Sequence, residues 1–197
     1  MSRPSILDRV EEQGFVVFEN GQCNLNIIGV RSSGRVANTF DDKMHVVFKN
    51  ANDEWVELIF TITTDPGNYW LENPSRVAGT AILCRGQYRG TYQLGKHRNK
   101  YEALVQRKKV RVYRDSNKNE VLDINPASSS SEEGFFGINI HRANASKEST
   151  RVEKWSAGCQ VFANPYEYGI FMALCNYSAR LYGNSFTYTL LEDLQVP

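Results

Sequence analysis

The chain has few of the residues on which metal sites and disulfide frameworks depend. Its three histidines show no metal-ligand spacing, and its four cysteines, Cys23, Cys84, Cys159 and Cys175, include no CxxC pair. We therefore expect no structural zinc, no other metal and no cofactor. A chain of 197 residues can bury a core without disulfides. Cys23, Cys84 and Cys175 are accordingly interpreted as reduced packing residues.

Long apolar runs and an excess of charge are also missing. No stretch approaches the roughly 18 consecutive apolar residues that indicate a membrane-spanning helix. The first twelve residues lack the apolar segment of a secretory signal, which predicts a chain made in the cytoplasm without a signal peptide. The net charge is only +1, which argues against a nucleic-acid-binding protein, because such proteins usually carry a basic excess.

The pattern of apolar residues predicts a mainly β, β-rich α+β fold. Short strand-like runs recur between residues 14 and 113 and again at 186–190, a density typical of a β-sandwich or a barrel-like core. Hairpin turns are predicted at Asn20-Gly21 and around Asn50–Asp53.

A helix is predicted near the C-terminus, packed on the sheet. Asn164 and Pro165 suit an N-cap and a first helical turn, and Gly183 suits the cap at the other end. Three apolar residues between these ends keep helical spacing: Ile170, Leu174 and Leu181. A second, shorter helix is predicted from Ser5 to Gly14.

Two short segments place a histidine and a cysteine where a thiol nucleophile could be activated. The first, Gly137–His141, ends in the histidine; the second, Trp155–Val161, contains Cys159, which is 18 residues further along the chain. A cysteine attacks as the thiolate, and a neighbouring imidazole can take its proton. Gly158 removes a side chain beside the sulfur, so that a substrate carbonyl and backbone N–H groups can approach closely.

Alternation within the first segment favours a catalytic pair. Ile138 and Ile140 alternate with Asn139 and His141, so a strand would place the two polar residues on one face and the isoleucines on the other. The alternative interpretation is that Cys159 is a small buried hydrophobic residue and His141 a core residue, because free cysteine is among the most buried residue types.

These two segments resemble the active-site motif of the L,D-transpeptidase (YkuD-like) catalytic domain. In that family, a histidine near the end of a strand is followed, after a variable loop, by Ser/Thr-x-Gly-Cys. The resemblance implies that His141 is the base and Cys159 the nucleophile. It also implies that Ser156 and Gly158 support the nucleophile loop.

The same resemblance implies a fold and a domain organisation. We expect residues 1–197 to form a single domain with an L,D-transpeptidase-like β-sandwich. Residues 1–74 would supply an N-terminal helix and β-hairpins, residues 75–164 the catalytic core, and residues 165–197 the C-terminal helix and a strand.

The activity that the resemblance implies is cysteine-dependent processing of peptidoglycan through a thioester on Cys159. We expect hydrolysis of stem peptides rather than transpeptidation, by a lytic or injected effector that acts at the bacterial cell wall after release or injection. Its partners would be peptidoglycan stem peptides and a phage or injection-system assembly, with no nucleic acid and no membrane span. Five residues are expected to bind substrate: Arg142, Trp155, Gln160, Tyr88 and His97.

Three departures from the family motif keep other functions open. Ala157 stands where the family often has His or Arg, Arg142 where it often has Gly or Ser, and Val161 where it usually has Arg or Asn. One alternative is a non-enzymatic virion or injection-system component that only binds the wall. The other is thiol chemistry on an intracellular amide outside the wall. A papain-like protease is excluded by residue order, because its cysteine precedes its histidine.

Two further segments each allow two interpretations. The basic run Gln106–Arg111 is either a solvated strand edge, where lysines block strand–strand aggregation, or a patch for an anionic wall polymer or nucleic acid. The segment Asp115–Asp123 imitates part of a calcium loop, but Glu120 replaces the sharp-turn glycine and Pro126 the final glutamate. A turn between strands explains this segment equally well.

Overall fold

Strands dominate the fold. A computed structural model describes residues 2–34, 36–124 and 131–193, and within these ranges the chain forms eleven strands and three helices. The strands are β1 (Asn26–Arg31), β2 (Asp42–Lys49), β3 (Trp55–Thr63), β4 (Thr80–Leu83), β5 (Gly86–His97), β6 (Tyr101–Gln106), β7 (Val110–Asp115), β8 (Glu132–Gly134), β9 (Ile140–Arg142), β10 (Gln160–Phe162) and β11 (Phe186–Glu192). The helices are α1 (Ile6–Glu12), α2 (Asn68–Glu72) and α3 (Pro165–Tyr182).

Eight of the strands close into a barrel, in the order β1-β11-β5-β6-β9-β10-β3-β2. The β1–β11 and β9–β10 pairs are parallel and the other neighbours are antiparallel. The remaining strands form a three-stranded sheet in the order β4-β7-β8. The predicted mainly β fold with a helix near its C-terminus is therefore confirmed. As in a sandwich, strands enclose an apolar core, but here eight of them close into a barrel.

An apolar core holds the barrel together. Tyr92 of β5 and Tyr188 of β11 are both fully buried, with ring centroids 5.9 Å apart and planes at 83°. Phe162 of β10 lies 5.6 Å from Phe60 of β3 and 4.9 Å from Phe171 of α3, measured between ring centroids. Because these aromatic rings come from strands on different sides of the barrel and from α3, they join distant parts of the chain in one cluster.

The helix α3 has the predicted ends but buries a different set of residues. Asn164 Oδ1 accepts a hydrogen bond from the Tyr166 N–H at 2.9 Å, and Gly183 follows the helix at a φ of +87°. Two of the three expected apolar positions face solvent, since Ile170 is 51% exposed and Leu181 47%, whereas Leu174 is partly buried against the core. The barrel instead contacts an aromatic and sulfur-containing face made of Tyr168, Phe171, Met172 and Cys175.

One predicted hairpin is confirmed and the other is wrong. Strands β2 and β3 pair antiparallel on either side of Asn50–Asp53, from Lys49 opposite Trp55 onward. The Asn20-Gly21 turn joins no pair of strands, because β1 already pairs with β2 on one side and with β11 on the other. The residues before it are held by a side chain instead: Asn26 bonds both the N–H and the carbonyl of Phe18, each at 2.8 Å.

The interpretation of the basic run as a strand edge is also wrong. Strand β6 pairs with β5 and β9, and β7 pairs with β4 and β8. The basic residues Arg107–Lys109 lie in the connection between these two strands. Edge protection therefore does not explain why they are basic.

Two smaller clusters flank the barrel. Ile6 and Leu7 of α1 pack on its outer face against Ile28 and Val30 of β1. On the small sheet, the side chains of β4 alternate between the barrel core and a separate cluster around Tyr113. None of the helices in the described ranges is both long and apolar enough to cross a bilayer.

We predict that Gly29→Ala destabilises the barrel. A Cβ at Gly29 would overlap the Tyr188 hydroxyl, which is buried and donates a 2.7 Å hydrogen bond to Gln160 Oε1. Overpacking of this kind typically costs about 1–3 kcal/mol, and a displaced hydroxyl adds to it. Urea denaturation should therefore show a lower midpoint with an unchanged slope.

Gly169→Ala is the matched control for that experiment. Gly169 is an exposed residue of α3, and a Cβ there would meet nothing within 4 Å. Alanine at this helical position should stabilise by up to about 1 kcal/mol. A Gly29→Ala variant as stable as the native chain would contradict the close packing of Tyr188 on β1.

Candidate active site

The two segments singled out in the sequence lie side by side in the barrel. Strands β9 and β10 pair parallel, with Gln160 opposite Ile140 and Val161 opposite His141. The Gln160 N–H donates to the Asn139 carbonyl at 2.9 Å, which continues the pairing by one step. Cys159, the residue directly before β10, therefore lies beside Asn139.

The predicted alternation in the histidine segment is confirmed. Ile138 and Ile140 are buried in the barrel core, and Asn139 and His141 belong to the opposite face. His141 is nevertheless only 2% exposed, because side chains from β5 and β6 cover its ring.

The hydrogen bonds of His141 leave one ring nitrogen free. Its Nδ1 lies 2.9 Å from the Arg142 carbonyl and 3.2 Å from the Tyr101 hydroxyl, whereas Nε2 is buried without a partner in the described structure. An Nδ1–H donated to Arg142 O assigns the neutral tautomer with a lone pair on Nε2. Burial lowers the pKa of His141 to about 3, and neighbouring His97 and Arg98 contribute.

A second imidazole stacks on the first. The ring centroids of His97 and His141 are 4.0 Å apart, with an angle of 24° between the planes. His97 Nδ1 accepts from the Asn139 side-chain amide at 3.1 Å. His97 is 8% exposed, and burial lowers its pKa to about 4. His97 is therefore a buried residue that packs against the His141 ring, which leaves little of its side chain for the predicted contact with substrate.

The Cys159 thiol is half-buried and is held by the backbone of the histidine segment. The Asn139 N–H donates to Sγ at 3.5 Å, and the thiol donates to the Gly137 carbonyl at 3.4 Å. In the described part of the chain, no hydrogen bond joins Sγ to His141. Burial raises the pKa of Cys159 to about 11, against the opposing influence of the Asn139 N–H and Arg98. The resting thiol and the resting imidazole are therefore both neutral.

The loop before the thiol has a tight backbone conformation. Buried Ser156 donates its hydroxyl to the Cys159 carbonyl at 2.8 Å and accepts the Gly158 N–H at 3.1 Å. Gly158 has a φ of +113°, and a Cβ there would overlap the carbonyl of Ala81. Both residues hold the loop before Cys159 in place, and the glycine allows the close approach of strand β4. Their support of a nucleophile stays a prediction.

Gln160 does not bind substrate, contrary to the prediction. Its side chain is fully buried: Oε1 accepts from the Tyr188 hydroxyl at 2.7 Å, and Nε2 lies 3.4 Å from both the Thr64 and the Gly158 carbonyls. These bonds anchor the residue after the thiol to the barrel interior. The sequence offered no sign of this, because the partners are distant along the chain.

Tyr88 is likewise occupied away from the thiol. Its hydroxyl donates to the Cys84 carbonyl at 2.6 Å, and the Arg111 carbonyl lies 3.3 Å away. The ring packs against the barrel core. Its polar atom holds β5 to the small sheet, and contact of Tyr88 with substrate stays a prediction.

Arg142 and Trp155 are the two remaining residues that were predicted to bind substrate. The Arg142 guanidinium lies over the Tyr101 ring, 4.6 Å from its centroid, and its charge remains unpaired among the described residues. Trp155 is 42% exposed in the loop that leads to the thiol. Substrate contacts by these two side chains stay predictions.

Sequence reasoning did not assign site roles to Tyr101 and Asn139. The Tyr101 hydroxyl lies 3.0 Å from the Arg142 carbonyl, next to the His141 ring. Asn139 contributes its backbone N–H to the thiol and its side chain to His97 and to the Gln106 N–H. The alternation with His141 could have revealed Asn139; nothing in the sequence indicated Tyr101.

The segment that imitates a calcium loop forms turns instead. Asp115 Oδ2 accepts the Asp123 N–H at 3.0 Å, and Asn117 Oδ1 accepts the Asn119 N–H at 3.1 Å. No group of three or more His, Cys, Asp or Glu residues that could hold a metal occurs within residues 2–34, 36–124 and 131–193. The position compared with the final calcium ligand, Pro126, lies outside the described residues.

Comparisons with protein-family models, with curated proteins and with solved structures found no match for this chain.

We predict that Cys159 reacts slowly with iodoacetamide at neutral pH. A pKa near 11 makes the thiolate about a hundredfold scarcer than in a cysteine with a pKa of 9. Alkylation should accelerate about tenfold per pH unit up to about pH 10, measured for each cysteine by peptide mass spectrometry.

The three fully buried cysteines provide the internal control for that experiment. Cys23, Cys84 and Cys175 should be labelled only after denaturation, because the fold excludes the reagent. Fast, pH-independent labelling of Cys159 between pH 6 and 8 would show a resting thiolate and would contradict the neutral pair.

Proposed function

We propose that the chain is a cysteine-dependent acyl-transfer enzyme of the L,D-transpeptidase type that hydrolyses peptidoglycan stem peptides at the bacterial cell wall. One observation carries the proposal. A half-buried thiol lies beside the strand that carries a neutral imidazole whose Nε2 has no partner in the described structure. A buried nitrogen without a hydrogen bond is costly in a purely structural residue, but it is what a general base needs.

The chemical step starts when a substrate carbonyl reaches the thiol. Sγ turns from the Gly137 carbonyl, its proton passes to His141 Nε2, and a bond forms between the sulfur and the carbonyl carbon. The amide C–N bond then breaks, and the leaving amine takes the proton from the imidazolium. Water attacks the resulting thioester, transfers a proton to His141 and releases the acid, and the proton returns to the sulfur.

The backbone supplies one free donor for the oxyanion. The Gly158 N–H is already bonded to Ser156, but the Cys159 N–H makes no hydrogen bond within the described part of the chain. A donor of this kind is typically worth about 3–4 kcal/mol in the transition state. It lies next to the attacking sulfur, where the negative charge develops.

Burial of the site favours a mechanism in which the proton moves during attack. The raised pKa of Cys159 and the lowered pKa of His141 both disfavour a resting thiolate–imidazolium pair. The stacked His97 ring excludes water from one side of the base. We propose that the Arg142 guanidinium holds a carboxylate of the stem peptide, because its geometry suits bidentate binding.

A non-enzymatic wall-binding component is the second candidate function. The observation that favours it is that the thiol bonds to the Gly137 carbonyl and not to His141. The two candidates differ in one respect only, which is turnover of the wall peptides.

We predict that the native chain releases peptide fragments from purified sacculi and that Cys159→Ala abolishes this activity. Loss of a nucleophile should cost at least about 10⁴-fold in kcat. Muropeptide mass spectrometry identifies the products: cleaved stems indicate a hydrolase, and new cross-links or exchanged amino acids indicate a transpeptidase.

Cys84→Ala is the control for loss of a sulfur. Cys84 is buried in the cluster on the small sheet, so the variant should retain activity. Activity that survives Cys159→Ala would refute the enzyme proposal. Binding to sacculi without any turnover by the native chain would favour the wall-binding component.

We predict a flat pH profile for kcat/KM between about pH 5 and 8. A His141 pKa near 3 keeps the base neutral over this whole range, so no acid limb near pH 6.5 is expected. A bell-shaped profile with an apparent pKa between 5 and 8 would contradict the buried neutral base.

Stability must be followed at each pH of that profile. Because the pKa values of His141 and His97 are lowered in the folded state, the unfolded chain binds more protons below pH 6.5. Their contribution to stability is therefore fully present above pH 6.5 and is lost progressively as the pH falls towards 3. Tryptophan fluorescence at each pH separates this unfolding from a change in the chemistry.

A further inference from the structure

A basic groove runs between the start of β5 and strand β7. Its volume is about 290 Å³, and its lining includes three cationic side chains, Arg85, Lys109 and Arg111, with Glu133 as the acidic one. Lys108 adjoins the groove, with its ammonium 3.2 Å from the Arg89 carbonyl. All four basic residues are exposed.

The charges of this groove are not neutralised by the protein. Among the ion pairs of residues 2–34, 36–124 and 131–193, none involves Arg85, Lys108, Lys109 or Arg111. Glu133 pairs in register with Arg111 across the small sheet but forms no ion pair with it. Because the whole chain carries a net charge of only +1, this groove concentrates positive charge that the rest of the surface balances.

Neither the fold nor the chemistry of Cys159 explains these cations. Strands β6 and β7 are paired on both sides, so the lysines protect no edge. The side chains of the candidate active site belong to β5, β6, β9 and the loop before β10, and none of them lines the groove. Clustered unpaired cations around a concave surface attract anions by their summed field.

We infer that this groove binds a linear polymer of phosphodiesters that carries no bases, such as a polyol-phosphate chain. Guanidinium groups bind phosphate oxygens in pairs, and lysines contact them as point charges. Cations on two separate segments, Arg85 before β5 and Lys108–Arg111 around the start of β7, suit a ligand with several charges along a chain better than a single anion.

Nucleic acid fits the groove less well than a polymer without bases. Proteins that bind single strands combine cations with exposed aromatic rings on which the bases stack. Tyr88 is the aromatic residue of the lining, but its hydroxyl is bonded to backbone carbonyls and its ring packs on the core. The groove therefore offers charge to the polymer backbone and no stacking surface to bases.

Fluorescence anisotropy with end-labelled poly(glycerol phosphate) tests this inference. We expect the native chain to bind, and its affinity to fall as the salt concentration rises. The logarithm of the association constant should fall by about 2 to 3 per tenfold rise in salt, because each of three or four contacted phosphates contributes about 0.7. Lys109→Glu/Arg111→Glu should weaken binding at 50 mM NaCl by about tenfold or more. Lys109→Gln/Arg111→Gln, which only removes charge, should give a smaller loss in the same direction.

Lys147→Glu/Arg180→Glu is the matched control, because it changes the net charge equally at exposed positions elsewhere. It should bind within about twofold of the native chain. No binding at 50 mM NaCl, equal losses in the control and in the groove variants, or glycerol phosphate monomer binding as tightly as the polymer would each overturn the inference. Tighter binding of single-stranded DNA with the same number of phosphates would also overturn it.

Discussion

The parallel pairing of β9 and β10 is the constraint on which the candidate active site depends. Parallel neighbours cannot be joined by a tight turn and need a crossover connection of a dozen or more residues. The stretch from Ala143 to Cys159 supplies that connection and ends at the thiol. Because the pairing places Val161 opposite His141, it brings the thiol to the backbone of Asn139, next to the strand that carries His141.

Buried contacts from three parts of the fold hold the thiol in that position. In the barrel interior, the Tyr188 hydroxyl bonds to Gln160. The Ala81 carbonyl of the small sheet contacts Gly158, and the Ser156 hydroxyl bonds to the Cys159 carbonyl within the loop. Each buried polar group in this set has a partner, and leaving one of them unpaired would cost about 1–3 kcal/mol. These contacts fix the backbone on both sides of Cys159, although the chain that leads to it is a loop.

Low polarity around the site has two opposing consequences for its chemistry. It keeps both the thiol and the imidazole neutral at rest, which lowers the reactivity of the free thiol. It also strengthens any hydrogen bond that a developing oxyanion makes, because little water competes for the donor.

The proposed binding of polymer and the proposed cleavage of peptide use different parts of the molecule. The cations of the groove lie on the small sheet and the β6–β7 connection, whereas the reacting groups lie on the barrel. Long-range attraction by the groove would bring the protein to a wall that contains anionic polymers. This attraction would not require a charge beside the thiol. Arg142 would then be left to orient a single carboxylate.

Local patterns in the sequence determined the features that depend on neighbouring residues. The alternation of Ile138 and Ile140 with Asn139 and His141, the β2–β3 hairpin, and the ends of α3 at Asn164 and Gly183 are all visible in short windows, because side-chain periodicity and caps are local properties. Only the tertiary structure decided which polar groups meet. The Asn20-Gly21 turn forms no hairpin, since both sides of β1 are filled by strands that are distant in the chain.

The same distinction applies within the candidate site. Cys159 and His141 stand out in the sequence because their residue types imply chemistry. Three contacts that build the site are not visible in the sequence. They are the stacking of His97 on His141, the burial of Gln160 against Tyr188, and the approach of the Ala81 carbonyl, which requires a glycine at position 158. Each of those contacts joins residues from separate strands of a closed sheet, and the order of strands in a barrel is set by the packing of the whole core rather than by any one segment.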